Sequence, residues 1–279
     1  MFQNKNKLSK TLFTVALLAV LTIVLTACGG SSPAATDNVS LTVGATDVPH
    51  AEVLEYIKPI LAEKGINLNI RVFNDYTMPN ETLAGGDLDA NYFQHKPWLE
   101  NYVLETGNDI IPFIGVHIEP MGGYSKSINS IDQLADGAKV GLPNAVSEVG
   151  RVLALLEANN LVTLKDGVGL KGTLQDIVDN PKNLQFVEVD ASLLAPTIDE
   201  YDFAVINTNF ALQADFVPAN DALIIEGTES PYVNVLAIRA ESKDNEAIAV
   251  LAEVLLSAEV KQFIEEKYEG AVVPAQVRY

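Results

Sequence analysis

The chain has 279 residues, with 18 Lys and Arg against 37 Asp and Glu, a formal net charge of −19 with His neutral. Such acidity excludes a nucleic-acid binder, which needs a basic footprint for the phosphate backbone, although the charge inside a cleft can differ from the total. The length suits one large or two modest domains, and the single cysteine, Cys28, excludes an intramolecular disulfide, a cysteine metal cluster and a catalytic thiol elsewhere.

Residues 1–27 read as a signal peptide: Lys5, Lys7 and Lys10 give a positive start, and Leu12 to Ala27 is an apolar run too short for a comfortable membrane span. Leu25-Thr26-Ala27-Cys28 resembles the bacterial lipobox, in which the cysteine becomes the lipidated N-terminus. The expectation is a body held by an acyl (palmitate-type) anchor on Cys28 at the extracytoplasmic side of a membrane. Residues 28–40, with GGSSPAATDN at 29–38, form a flexible tether rich in small and polar residues. Removal of the signal peptide takes away three Lys and no acids, leaving 15 basic against 37 acidic residues, about −22.

In the body, Leu41–Ala45 reads as a strand and Ala51–Lys64 as a helix, with Val53, Leu54, Ile57, Ile60 and Leu61 at helical spacing and Gly65 closing it. Pro59 inside that pattern predicts a kink or a shifted register. Asn67–Phe73 alternates, with Leu68, Ile70 and Val72 on one face. A short helix at 79–84 ends at Gly85-Gly86, a strand follows at 90–93, and Pro97 suits the first turn of a helix to about Thr106. Ile110–Val116 is a strand. The Gly- and Pro-bearing EPMGGYS at 119–125 reads as a crossing between domains. Beyond it come a short helix at 131–135 capped by Ser130, a strand at 139–142, a helix at 147–159 and a helical turn at 173–178. Strands at 185–189 and 203–206, a loop from Asn207 into 208–214, a last strand at 233–239 and helices within 245–268 complete the chain. This alternation predicts an α/β protein with mostly parallel sheets, whose ligand sits outside the carboxyl ends of the strands.

Candidate binding residues fall at such ends. Tyr76, Phe93, His95 and Trp98 supply apolar ring faces with one directional hydrogen bond each from hydroxyl, imidazole and indole. Arg151 offers a bidentate fork for a carboxylate. Asn207 and Asn234 offer amides that serve both ends of a zwitterion. The aromatic group lies before the crossing, Arg151 and Asn207 after it, so a cleft between lobes unites them. The set describes an amino acid with an apolar side chain.

Several ordered blocks resemble the NlpA-type methionine-binding lipoproteins, the substrate-binding components of methionine ABC importers. They are Asn74-Asp75-Tyr76 with Pro79-Asn80, residues 86–97 (GDLDANYFQHKP), Asp136-Gly137, Gly150-Arg151, residues 179–184 (DNPKNL), residues 205–209 (VINTN) and residues 230–234 (SPYVN), spread over Leu41 to Ala275. The resemblance implies a two-lobed, type II periplasmic-binding-protein-like fold, with one lobe from 41–121 and 232–279 and the other from 122–231. It implies capture of L-methionine, of another small amino acid or of a methionine-containing dipeptide, delivery to the permease and ATPase subunits of an ABC importer, no cofactor and no catalysis. It places the tail pocket on Tyr76, Phe93, His95 and Trp98, the carboxylate arginine on Arg151 and the asparagines on Asn207 and Asn234. Two departures stand out. Asn144-Ala145-Val146-Ser147-Glu148 replaces the Asn-Asp-Pro-Thr-Asn expected before Gly-Arg, and Trp98 replaces a Tyr. Glu148 either accepts from the ligand ammonium or pairs with Arg151.

Two other classes find little support. A metal-binding lipoprotein would use His50, His95 and His117, yet these stand 45 and 22 residues apart without a helical His pair, and each reads as a surface or pocket residue, so no metal site is expected. A hydrolase would need a Gly-x-Ser-x-Gly elbow or a His-Glu-x-x-His helix, and neither occurs.

Overall fold

A computed structural model describes residues 39–227 and 230–279. The segment expected to be a signal peptide, Cys28 and the expected tether as far as residue 38 lie outside the described residues. Among the described residues no helix is long and apolar enough to cross a membrane.

The strands are β1 (Val39–Thr46), β2 (Ile66–Phe73), β3 (Ala90–His95), β4 (Ile110–Ile118), β5 (Gly122–Tyr124), β6 (Lys139–Pro143), β7 (Thr163–Leu164), β8 (Ile177–Asp179), β9 (Gln185–Val189), β10 (Phe203–Ile206), β11 (Ile224–Ile225), β12 (Val233–Arg239) and β13 (Val273–Arg278). The helices are α1 (Glu52–Glu63), α2 (Met78–Ala84), α3 (Lys96–Thr106), α4 (Val146–Ala158), α5 (Ala191–Leu194), α6 (Thr208–Gln213), α7 (Pro218–Asp221), α8 (Glu246–Leu255) and α9 (Ala258–Tyr268). They build a six-stranded sheet in the order β13-β4-β12-β3-β1-β2 and a five-stranded sheet in the order β11-β5-β10-β6-β9. The protein is α/β and two-lobed.

Each sheet is covered on both faces, so its central strands are buried and largely apolar, except where β3, β4 and β12 carry polar residues toward the cavity. On the first, Leu41, Val43 and Ala45 of β1 share a core with Val53, Leu54, Ile57 and Leu61 of α1 and with Leu251 and Ile264 of α8 and α9. Those four α1 side chains are wholly buried, a transfer contribution on the order of 10 kcal/mol before chain entropy is charged against it. The opposite face carries Phe73, Leu83, Leu99 and Val235. In the second sheet Val140, Leu142, Phe203 and Val205 pack on Val152, Leu153 and Leu156 of α4, while Ala204 and Ile206 pack on Leu194, Ile198 and Phe210.

The pairing corrects the expectation of mostly parallel sheets. β1 runs parallel to β2 and β3, and β6 to β9 and β10, but β12 inserts antiparallel between β3 and β4, β13 pairs antiparallel with β4, and β5 pairs antiparallel with β10 and β11. Both sheets are mixed. β5 and β13 have no periodic signal in the sequence. The Gly122-Gly123 segment expected to be a plain crossing is a strand, and a Cβ at Gly123 would stand 2.1 Å from the Phe203 ring that packs over it. β13 is an edge strand whose ladder shifts between Pro274 and Val277, a place where Pro is tolerated and alternation is lost. The turn expected to be helical at 173–178 is a tight turn at 174–176, boxed by Asp176 accepting from Thr173, followed by β8. Helix α1 continues through Pro59, which lies on its exposed side. Val72 is 49% exposed rather than buried, because it lies near the end of edge strand β2.

Gly150 shows why a glycine precedes Arg151. A Cβ there would meet the Leu170 carbonyl oxygen at 2.2 Å and its carbon at 2.7 Å, backbone atoms that cannot swing aside. Gly150→Ala is therefore expected to lower stability by about 1–3 kcal/mol, read from the urea midpoint; an unchanged midpoint would show that the 169–172 segment yields freely.

Candidate functional site

One cavity, with about 350 Å³ of space between its walls and at its open mouth, collects residues from both sheets. All eight residues singled out from the sequence line it: Tyr76, Phe93, His95, Trp98, Glu148, Arg151, Asn207 and Asn234. Gln94, Glu119, Thr208 and Asn209 line it as well and were not foreseen. Asn209 follows Asn207 in the same NTN run, and Glu119 follows β4 directly, so position just past a strand end was the signal available.

Register brings the first wall together. In the six-stranded sheet Asn234 sits opposite His95 on one side and His117 on the other. Behind this wall Asn80, Asn91 and Gln94 are buried and bond one another, with Asn80 Nδ2 donating to Gln94 Oε1 at 2.8 Å and Gln94 Nε2 donating to Asn80 Oδ1 at 2.8 Å. A fully satisfied amide cluster of this kind stiffens its surroundings. Tyr76 gathers the rings, with centroids 5.2 Å from Trp98, 6.0 Å from Phe93 and 5.0 Å from Phe210. Its hydroxyl donates to Asn209 Oδ1 at 2.5 Å, tying the two walls.

His95 ends β3 and caps α3: its Nδ1 accepts from the Trp98 amide at 3.1 Å. The ring proton then belongs on Nε2, which donates to Glu148 Oε1. Glu148 is completely buried, and its other oxygen accepts from Asn207 Nδ2 at 3.0 Å. Burial alone would raise its carboxyl, but His95, then Arg151 and Asn207, outweigh it and hold the group down at about 2.

Arg151 lies one turn along α4 from Glu148, on the same face. The closest approach between their charged groups, from Nη1, is 3.9 Å. Its strong partner is Glu226, which accepts from Nε at 2.8 Å and Nη2 at 2.6 Å, while Nη2 also donates to the Glu119 carbonyl at 2.8 Å. The Tyr232 ring stacks under the guanidinium at 4.2 Å. Glu226, absent from the sequence-based set, thus occupies the fork that seemed free. Of the two roles open to Glu148, pairing with Arg151 is the lesser one here, since its direct hydrogen bonds go to His95 and Asn207.

His50 and His117 correct the reading of each as a surface or pocket residue. Both are buried, in contact with each other and with Glu119. His117 Nε2 donates to Glu119 Oε1 at 2.7 Å, and His50 Nε2 faces the same oxygen at 3.2 Å and Asn234 Oδ1 at 3.1 Å. Their Nδ1 atoms accept from the hydroxyls of Tyr92 and Thr46. This trio places ligand atoms within 4.8 Å of one another, the arrangement a divalent cation would need, yet one proton on each Nε2 satisfies every contact without a metal. Burial holds His50 at about 4, partly countered by Glu119, and His117 at about 3.

The sequence profile described as NlpA lipoprotein matches residues 41–276. The chain belongs to the NlpA lipoprotein family. Its relatives in that family include the methionine-binding lipoprotein MetQ of Bacillus subtilis strain 168, 44% identical over 95% of this chain and 98% of that one. A nutrient-binding protein from Burkholderia cenocepacia, solved bound to methionine, is 39% identical with a TM-score of 0.81, covering 84% of this chain and 99% of that one. An ABC-transporter periplasmic substrate-binding protein from Coxiella burnetii is 38% identical with a TM-score of 0.80, covering 84% and 100%. NlpA relatives of this kind are binding proteins, and this chain is a binding protein rather than an enzyme.

The buried imidazoles set a pH dependence. A proton reaches each His in the unfolded chain near pH 6.5 but is refused by the folded one, so stability falls as pH drops from about 6.5 toward 4. Glu148, depressed to about 2, adds stability that is present above about 4.5 and lost as pH falls further. Unfolding at pH 5 is expected to take up about two protons through the His pair, and His117→Gln to remove about one, measured as the slope of unfolding free energy against pH. An unchanged slope would show His117 protonated in the fold.

Proposed function

We propose that the protein captures L-methionine or a close relative outside the cytoplasm and delivers it to the permease and ATPase subunits of an ABC importer, tethered to a membrane through lipid on Cys28. The observation that carries this reading is one cavity with a ring-lined wall opposite a wall of amides and buried charges, in a chain whose relatives include a methionine-bound protein. Tyr76, Phe93, His95 and Trp98 receive an apolar, sulfur-bearing tail, a use to which polarizable thioether and ring edges are suited. Glu148, Asn207 and Asn234 form the wall for the polar end, with Arg151 behind them fixing its charges. Residues 41–121 with 232–279 and residues 122–231 serve as the two lobes that close on the ligand. Another small amino acid or a methionine-containing dipeptide is the second reading.

Thermal-shift assays over amino acids, methionine derivatives and methionine dipeptides are expected to raise Tm only with the methionine group. No shift with any member, together with no bound molecule in native mass spectrometry, would sink the proposal. Arg151→Ala is expected to weaken binding more than about tenfold, because it leaves Glu226 and Glu148 as buried anions without the cation that fixes the polar wall. Lys126→Ala removes only an exposed pair to Asp199 and should leave binding unchanged; equal losses would remove Arg151 from the site.

A further inference from the structure

The charges around the cavity are unevenly committed. Three carboxylates, those of Glu119, Glu148 and Glu226, surround one guanidinium. Two of the three Arg151 nitrogens are spoken for: Nε and Nη2 grip Glu226, and Nη2 also meets the Glu119 carbonyl. Glu226 is anchored a third time by the Met121 amide, 2.9 Å from Oε2, so an incoming carboxylate must break three hydrogen bonds to displace it. The remaining nitrogen, Nη1, points to within 3.9 Å of Glu148, where a second carboxylate would face a buried anion. His95 offers nothing either, since Nε2 already donates to Glu148 and Nδ1 caps a helix.

What the cavity leaves unclaimed is of the opposite kind. Among the described residues Asn207 Oδ1 is a buried acceptor without a partner and Asn209 Nδ2 a buried donor without one. Their residues are 6% and 2% exposed. An unpaired buried amide is costly until a ligand answers it. The acceptors, Asn207 Oδ1 beside the Glu119 and Glu148 carboxylates, suit an ammonium with three N–H groups. The unpaired neutral donors, Asn209 Nδ2 and the Trp98 indole Nε1 on the ring wall, suit a carbonyl oxygen, not a full negative charge.

Resting on the methionine reading above, we propose that Glu148 is a specificity-determining residue that turns the cavity toward methionine-type ligands with a free α-ammonium and a neutral amide in place of the carboxylate. L-Methioninamide and the first residue of an N-terminal methionyl peptide share that polar end. An asparagine at the same position would supply an amide where this chain supplies a fixed negative charge, and the preference for the neutral end would disappear with it.

Isothermal titration calorimetry at pH 6.5, where an α-amino group is protonated, tests this with L-methionine, L-methioninamide and N-acetyl-L-methionine. The purified protein is expected to bind L-methioninamide at least about tenfold tighter than L-methionine, a gap of about 1.4 kcal/mol, and to ignore the N-acetyl compound. Glu148→Asn is expected to close or reverse the gap. Binding of L-methionine as tight as or tighter than the amide would overturn the inference while leaving the methionine reading intact. A gap that persists unchanged in a folded Glu148→Asn protein would remove Glu148 as its cause. Heat from none of the three ligands would overturn the methionine reading and this inference with it. Should Glu148→Asn fail to fold, the ratio in the unaltered protein and Glu148→Gln supply the same decision.

Discussion

A guanidinium buried to 3% exposure has to be answered at its nitrogens, because a buried charge left unpaired costs several kcal/mol. The structure around Arg151 is arranged to meet that demand. Glu226 arrives on the segment that returns from the second sheet to the first, and the Glu119 carbonyl on the segment that leaves the first sheet for the second. Tyr232, just before β12, closes the remaining face. Every connection between the sheets near the cavity therefore ends on this one side chain. The position of α4, and with it of Glu148, follows from that constraint.

Glu148 carries the same logic across the cavity. A carboxylate with no solvent exposure stays charged only where donors surround it, and its donors come from opposite halves: His95 from β3 in the first sheet and Asn207 from the end of β10 in the second. Together with the Tyr76–Asn209 hydrogen bond, these contacts bridge the cavity by polar bonds, beside the apolar contact of the Tyr76 ring with Phe210. The apolar cores lie away from the cavity, within each sheet and its helices.

The His50–Glu119–His117 cluster adds a second buried polar system next to the first. Its two imidazoles remain neutral because burial penalises their charged forms, and they in turn supply the donors that a buried Glu119 carboxylate requires. The carboxylate is pushed upward by that burial and drawn back by His50 and Arg151. Charge at the cavity wall is thus linked to groups two strands away from it.

The sequence by itself determined the strands with strong apolar character, the boundaries at 185–189, 203–206 and 233–239, and the identity of the eight cavity residues, because each of these rests on local periodicity or on a motif that stays readable in one dimension. It did not determine β5 or β13, whose glycines and proline hide a strand that only pairing reveals. Nor did it determine the partner of Arg151: Glu226 lies 75 residues away, and one glutamate among so many acidic residues carries no local mark. His50 and His117 likewise read as isolated residues until β12 and β4 set the register that brings them to one oxygen. Tertiary structure alone decided which charges meet, because pairing of buried charges depends on distances of a few ångströms between elements that are far apart along the chain.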